Sequence, residues 1–218
     1  MTTASTRTLP LYERLLNGAA GFFSFIFSPL LAPTYGIMIV WLTTILMLLP
    51  GGTVRSLLLT VFSLTCLVPL LLIGLLWKLG IVSDPGLNKR SERTWPFAIS
   101  ATGYAVVIFL MIHVNAPSWI TMFIAGGLVA TIVAAIVNLR WKISIHLTGM
   151  GGLLGLMCRL YASHLVLFNG FAVMSAIIVA TGLVGTSRLI LNRHTPLQVV
   201  AGIANGFICV FMLTAIKW

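Results

Sequence analysis

Apolar residues in this chain come in continuous runs rather than in alternation, and short strings of Pro, Gly, Asn or clustered cations separate the runs. Runs of roughly 20 residues have the length of a helix that crosses a bilayer, whereas strands of a membrane barrel alternate apolar and polar positions. From residue 18 to 49 the sequence is apolar but interrupted by Pro29 and Pro33, which predicts an interfacial piece and then a first span ending near Pro50. A Pro50-Gly51-Gly52 turn leads through Arg55 into a second span, Leu57 to Leu79, closed by Lys78. After the polar loop Ser83 to Pro96, a third span covers Phe97 to Val114, and Asn115-Ala116-Pro117 turns it into a fourth that ends at Leu139. Arg140-Trp141-Lys142 marks an interface there. Apolar sequence resumes at Leu147, continues to Phe168, breaks weakly at Asn169-Gly170 and runs on to Ser187, and a last span goes from Pro196 to Lys217-Trp218. The expected fold is all-α, a polytopic membrane helical bundle of about six or seven transmembrane helices.

Composition agrees with that class. The 218 residues are 59% hydrophobic and 7% charged, with a mean hydropathy of +1.10, values that exclude a soluble globular domain. Residues 1–17 form a polar, basic arm carrying Arg7, Glu13 and Arg14, expected as a surface arm or interfacial helix rather than a cleaved signal. Residues 18–218 form a single transmembrane domain. A net charge of +10, from 13 Lys+Arg against 3 Asp+Glu, would suggest nucleic acid in a soluble protein. In a membrane protein such cations gather at span ends and meet anionic head groups, so membrane lipids are the expected partners and nucleic acid is not. Cys66, Cys158 and Cys209 lie in apolar sequence without metal-ligand spacing, and read as packing residues.

Two spans separate the 83–96 loop from Lys142-Ile143-Ser144-Ile145-His146, and two more separate that string from Ser187-Arg188 and His194. All three segments therefore share one membrane face, where loops 83–96, 140–149 and 187–198 can build a composite site. Lys89, Arg90 and Arg93 crowd the first loop beside Asp84 and Glu92, either as a solvated, salt-bridged loop or as an anion clamp. His146 follows Ser144 at a helix start, and Gly151 and Gly155 form a G-x-x-x-G expected to pack helices. Thr195-Pro196-Leu197-Gln198 is a capping box, so His194 stands just outside a helix N-terminus. Arg159, some twelve residues into its span, is expected to snorkel to the opposite face with His164 or to pair inside the bundle, and His113 belongs to the opposite surface.

Ser187-Arg188, five residues and His194 match in type and spacing the third motif of the type 2 phosphatidic acid phosphatase superfamily, which the chain resembles. Ile143-Ser144-Ile145-His146 is similar to the second motif with Ser and His kept. Asn88 to Pro96 carries the charges of the first, with Lys89 and Arg93 as approximate substitutes for its cations. The resemblance implies His194 as nucleophile forming a phosphohistidine, and His146 as general acid. Arg188, Ser144, Lys89, Arg93 and Ser187 would be phosphate-binding groups, with no cofactor and no metal. Gln198 stands where the family has the Asp that orients the nucleophile. The histidine-orienting candidates are therefore Gln198 itself and, from the neighbouring loop, Asp84 or Glu92.

The expected activity is hydrolysis of a lipid phosphate or diphosphate presented at the bilayer surface. The alternatives are a non-catalytic binder or transporter of anionic lipids and a lipid phosphotransferase. The expected location is the bacterial inner membrane. Oligomeric state, substrate identity and the membrane side of the site stay open at this point.

Overall fold

The computed structural model describes residues 10–84 and 89–216, so residues 1–9 of the arm, the loop positions 85–88 with Asn88, and Lys217-Trp218 lie outside the described residues. Within them the chain is helical and contains no strand. The α-helices are α1 Leu11–Ile26, α2 Ala32–Thr43, α3 Gly51–Phe62, α4 Val68–Lys78, α5 Thr94–His113, α6 Ser118–Asn138, α7 Ile145–Ala162, α8 Gly170–Ile190 and α9 Pro196–Leu213.

Prolines and back-bonding hydroxyls set the helix ends. Residue 17, the expected end of the arm, falls inside α1, because nothing from Leu11 to Ile26 breaks a helix. The break comes at Pro29, which holds Ser28 extended at ψ 138. α1 packs on α8, burying Ala20 and Ser24 four residues apart, while Phe22 and Phe25 stay exposed. α2 stops where the Thr43 and Thr44 hydroxyls donate to the carbonyls of Ile39 and Val40. The second passage starts at Gly51, not after a glycine turn, and is continuous to Lys78 through a widened π turn at Ser63–Leu67. Gly103 of α5 fits against that turn: a Cβ there would lie 2.5 Å from the Leu64 carbonyl oxygen.

α7 stops at Ala162, before the expected Phe168, because the following loop docks on the end of α2. Leu167 and Phe168 donate their N–H groups to the Thr43 carbonyl at 2.7 and 3.2 Å, and His164 and Asn169 turn the chain with φ of 55° and 50°. Arg159 lies in the last turn of α7, with its guanidinium 6.0 Å from the Phe211 ring. That agrees with a side chain directed to the opposite face. His113, in the last turn of α5, stacks on Phe109 at that same far face.

Six segments are long and apolar enough to cross a membrane: Leu11–Thr43, Gly51–Lys78, Arg90–His113, Ser118–Asn138, Gly170–Ile190 and Pro196–Leu213. The protein is an integral membrane helical bundle. α7 is not among the six, and its place explains why. It is surrounded by α2, α6, α8 and α9, so its side chains meet protein rather than lipid and can include His146, Thr148 and four glycines. Gly151 and Gly155 sit against the carbonyls of Ile203 and Phe207, while Gly202 and Gly206 of α9 sit against those of Ser144 and Thr148. The expected G-x-x-x-G of α7 thus meets a second one on α9, and the interlock fixes where the two helices begin relative to each other.

Candidate functional site

The ends of α4, α6 and α8 and the starts of α5, α7 and α9 share one face, and the polar segments meet there. A short 3₁₀ turn, Arg90–Arg93, precedes α5 and is clasped to the end of α6. Arg90 Nη1 donates to the carbonyls of Asn138 and Leu139 at 3.1 and 2.5 Å, and Asn138 Nδ2 donates back to the Arg90 carbonyl at 3.1 Å. The pinned turn buries Arg93, whose Nη1 donates to the Ile143 carbonyl at 3.3 Å, on the threshold of α7.

Ser144 is the N-cap residue of α7, and its N–H donates to the Gln198 main-chain carbonyl at 3.3 Å, tying the entry of α7 to that of α9. Its hydroxyl caps nothing and is buried without a partner among the described residues, as is Nε of Arg188 in the last turn of α8. Buried polar groups in folded proteins are almost always bonded, so unpaired donors here mark a place built for an acceptor.

The capping box at the start of α9 does two things. Gln198 Oε1 accepts from the Thr195 N–H at 3.3 Å and also lies 3.0 Å from His194 Nδ1. Accepting a main-chain N–H identifies that atom as the oxygen, so Nδ1 is the donor and Nε2 keeps its lone pair. His194 is buried, which pushes its pKa down to about 4; Arg188, Arg93 and Lys142 push the same way and the Gln198 bond opposes them. The ring is therefore neutral at pH 7. Lys142, half-buried, has its ammonium pKa lowered by burial and by Arg93, Arg188 and Arg193. Lys142 and Arg193 thus join a cationic cluster that motif matching passed over, although adjacency to Ser144 and His194 pointed to them.

His146 Nε2 lies 3.1 Å from the Ser24 carbonyl of α1. In a continuing helix Ser28 would satisfy that oxygen, but with the break at Pro29 the Ser28 N–H turns to Phe25 instead. His146 Nε2–H takes its place, leaving Nδ1 for proton exchange. Ser24 was not anticipated, since nothing in the sequence connects α1 to the motifs.

Other expected residues are placed elsewhere. Lys89 is exposed and pairs with Glu92 at 3.4 Å, because the two lie on the outer side of the turn whose inner side carries Arg93. The other Glu92 oxygen accepts from Ser83 N and Oγ at 2.8 and 3.0 Å, so this carboxylate braces the loop rather than orienting His194. Asp84 begins the stretch whose next residues lie outside the description, and the groups acting on His194 are Gln198 and cations. Ser187 is buried, but its hydroxyl donates to the Leu183 carbonyl at 2.7 Å, so its proton is already engaged.

Arg93, His146, Arg188 and Ser24 line one part of a cavity of about 370 Å³. Phe97, Tyr104, Phe123 and Ile73 form apolar walls beyond them. Along α5 the lining extends from Arg93 to Tyr104, about 16 Å at helical rise. Hydroxyls in this stretch are satisfied by their own helices, Thr65 to Val61 and Thr131 to Gly127, both at 2.8 Å. His194 and Ser144 do not line the cavity; Arg93 and Arg188 link them to it, acting electrostatically on both histidines. Among the described residues no group of three or more His, Cys, Asp or Glu side chains comes together. The donor-rich, cationic set complements an anion.

Fold and site together define an integral membrane helical bundle with a buried cationic cluster at the mouth of an apolar cavity. No protein-family model, no curated protein and no solved structure matches the chain.

Proposed function

We propose that this protein is a lipid phosphatase of a bacterial inner membrane, acting on a phosphate or diphosphate head group through a phosphohistidine. The observation that carries the reading is the adjoining of two opposite environments. Buried Arg93 and Arg188 gather around two histidines, and an apolar cavity leads away from them. Such a space complements an amphiphile whose head is anionic and whose first carbons lie among the helices.

In the reaction, a monoanionic phosphate head group first passes its proton to His146 Nδ1; Nε2 of neutral His194 then attacks phosphorus and the bond from phosphorus to the lipid oxygen breaks, while His146 delivers that proton to the departing oxygen. Water then cleaves the phosphohistidine, with His146 taking its proton, and phosphate leaves. Arg93, Arg188 and the Ser144 hydroxyl stabilise charge on the phosphoryl oxygens. Gln198 fixes the His194 tautomer without adding negative charge, and supports the second reading, a non-catalytic binder or transporter of the same lipids. A lipid acceptor in place of water would make the protein a phosphotransferase.

The test is phosphate release by the purified protein in nanodiscs, with chelator present, across a panel of lipid phosphates and diphosphates. Wild type is expected to release phosphate, and His194→Ala and His146→Ala to lose that release. Undiminished release by His194→Ala would sink the mechanism, and retained lipid binding with no turnover would favour the binder.

A further inference from the structure

We infer that α1 is a wall of the site and that Ser24 is a ligand for the anionic head group. Among the described residues, three donors in this region are buried without a partner: Nε of Arg188, Oγ of Ser144 and Oγ of Ser24. The first two belong to the segments that resemble phosphatase motifs. The third comes from a helix outside them, yet Ser24 lines the same cavity as Arg93, His146 and Arg188 and is 8% exposed. A buried hydroxyl on an apolar helix ordinarily bonds to a carbonyl of its own helix, as those of Thr65, Thr131 and Ser187 do here. Ser24 does not, although its position near the end of α1 leaves carbonyls of the preceding turn within the usual reach of such a bond. Its hydroxyl is left for something that enters the cavity.

The main chain of the same residue is already part of the site. The break at Ser28-Pro29 frees the Ser24 carbonyl, and His146 Nε2–H caps it at 3.1 Å, which fixes the ring so that Nδ1 is the exchangeable nitrogen. Ser24 therefore supplies two groups on one side of His146, the carbonyl that orients the imidazole and a free donor beside it. Taking the ligand to be a lipid phosphate rests on the function proposed above. That Ser24 meets an anionic head group rests on the company of Arg93 and Arg188.

The test measures binding of a long-chain alkylphosphonate, which has the anionic head and apolar tail but no bond to hydrolyse, to wild type and Ser24→Ala in nanodiscs. Alanine is a good helix former and no existing bond is lost, so the melting temperature is expected to stay within about 2 °C. Affinity is expected to fall roughly tenfold, the effect of one hydrogen bond to a charged group. An affinity within about twofold of wild type would overturn the inference, and so would failure of wild type to bind the phosphonate at all. Binding that depends on Ser24 in a protein that releases no phosphate from any lipid would keep this inference while removing the phosphatase reading.

Discussion

Replacing Gln198 by Glu changes one atom in the side chain that holds the proposed nucleophile. Glu keeps the reach of Gln and remains the usual partner in a capping box, so the start of α9 is expected to be retained. A carboxylate oxygen would then lie about 3.0 Å from His194 Nδ1, where Gln198 Oε1 is now. At an effective dielectric of about 20, unit charges at that separation attract by roughly 5 kcal/mol. Desolvating the new carboxylate and its attraction to Arg188, Arg93 and Lys142 take back part of this. A rise of about 1–3 pKa units remains for a histidine gaining a close carboxylate. From its value of about 4 the ring would move to about 5–7. The sign for activity follows from the role: a nucleophile must be neutral, so kcat/KM falls as pH drops through the pKa of the free protein. Wild type is expected to hold its activity down to about pH 4, and Gln198→Glu to lose it between about pH 7 and 5 while its kcat at pH 8 rises. An NMR titration of labelled histidine in nanodiscs reads the same shift without relying on turnover. An acid limb and a titration midpoint that both stay near 4 in Gln198→Glu would refute the assignment of Gln198 as the group that orients His194.

Arg93→Ala removes a buried donor aimed at the cavity and should lower kcat/KM by about two orders of magnitude, whereas Lys89→Ala, which removes an exposed pair with Glu92, should change it by less than about threefold; equal effects in a phosphate-release assay would contradict the placement of these two cations. Gly206→Ala puts a methyl group into contact with the Thr148 carbonyl and 2.7 Å from the Gly152 nitrogen, so thermal unfolding in detergent should show a loss of about 1–3 kcal/mol or more, while Gly182→Ala, with nothing within 4 Å, should be neutral within about 0.5 kcal/mol. Burial of neutral His194 should contribute a loss of about 3 kcal/mol to wild-type stability as pH falls from about 6.5 to about 4, because the unfolded chain takes up the proton first; His194→Gln should make the unfolding profile shallower over that range by that contribution.

Helical passages were legible because bilayer length and composition leave little choice, and the common face of the three polar segments followed from counting crossings, which does not depend on where each helix ends. Helix ends themselves were less legible. Gly51 and Gly52 read as a turn but begin α3, whose first hydrogen-bonded N–H groups donate back to the Pro50 carbonyl, and Phe168 read as helix but docks on Thr43, a position that only the arrival of a distant segment decides. Arg93, Ser144, His146, Arg188 and His194 were singled out from residue type and spacing, and the structure brings their segments together on one face. Lys89 and Glu92 pair with each other, away from buried Arg93, because the 3₁₀ turn Arg90–Arg93 points its neighbouring side chains apart, and spacing alone does not reveal the turn. Ser24 left no local trace: its role comes from a broken helix whose end meets α7, a contact between residues more than a hundred positions apart.

Gln198 and the cationic cluster make physical sense together. Lys142, Arg93, Arg188 and Arg193 lie close enough to repel one another, and the first three sit in surroundings where they already lose hydration. A carboxylate at position 198 would pair with this cluster as well as with His194, and so would compete with an incoming phosphate for the same charges. Gln198 orients the imidazole through a neutral oxygen and leaves the cluster unneutralised until an anion arrives. Under the proposed function, the substrate itself then supplies the negative charge that a motif aspartate would provide: a bound phosphate screens the cations that add to burial in holding the His194 pKa down, and stabilises the positive charge that develops on the ring as the bond to phosphorus forms. Such a site would be poor at activating His194 when empty and competent when filled, so the missing aspartate changes where the counter-charge comes from and does not by itself argue against chemistry.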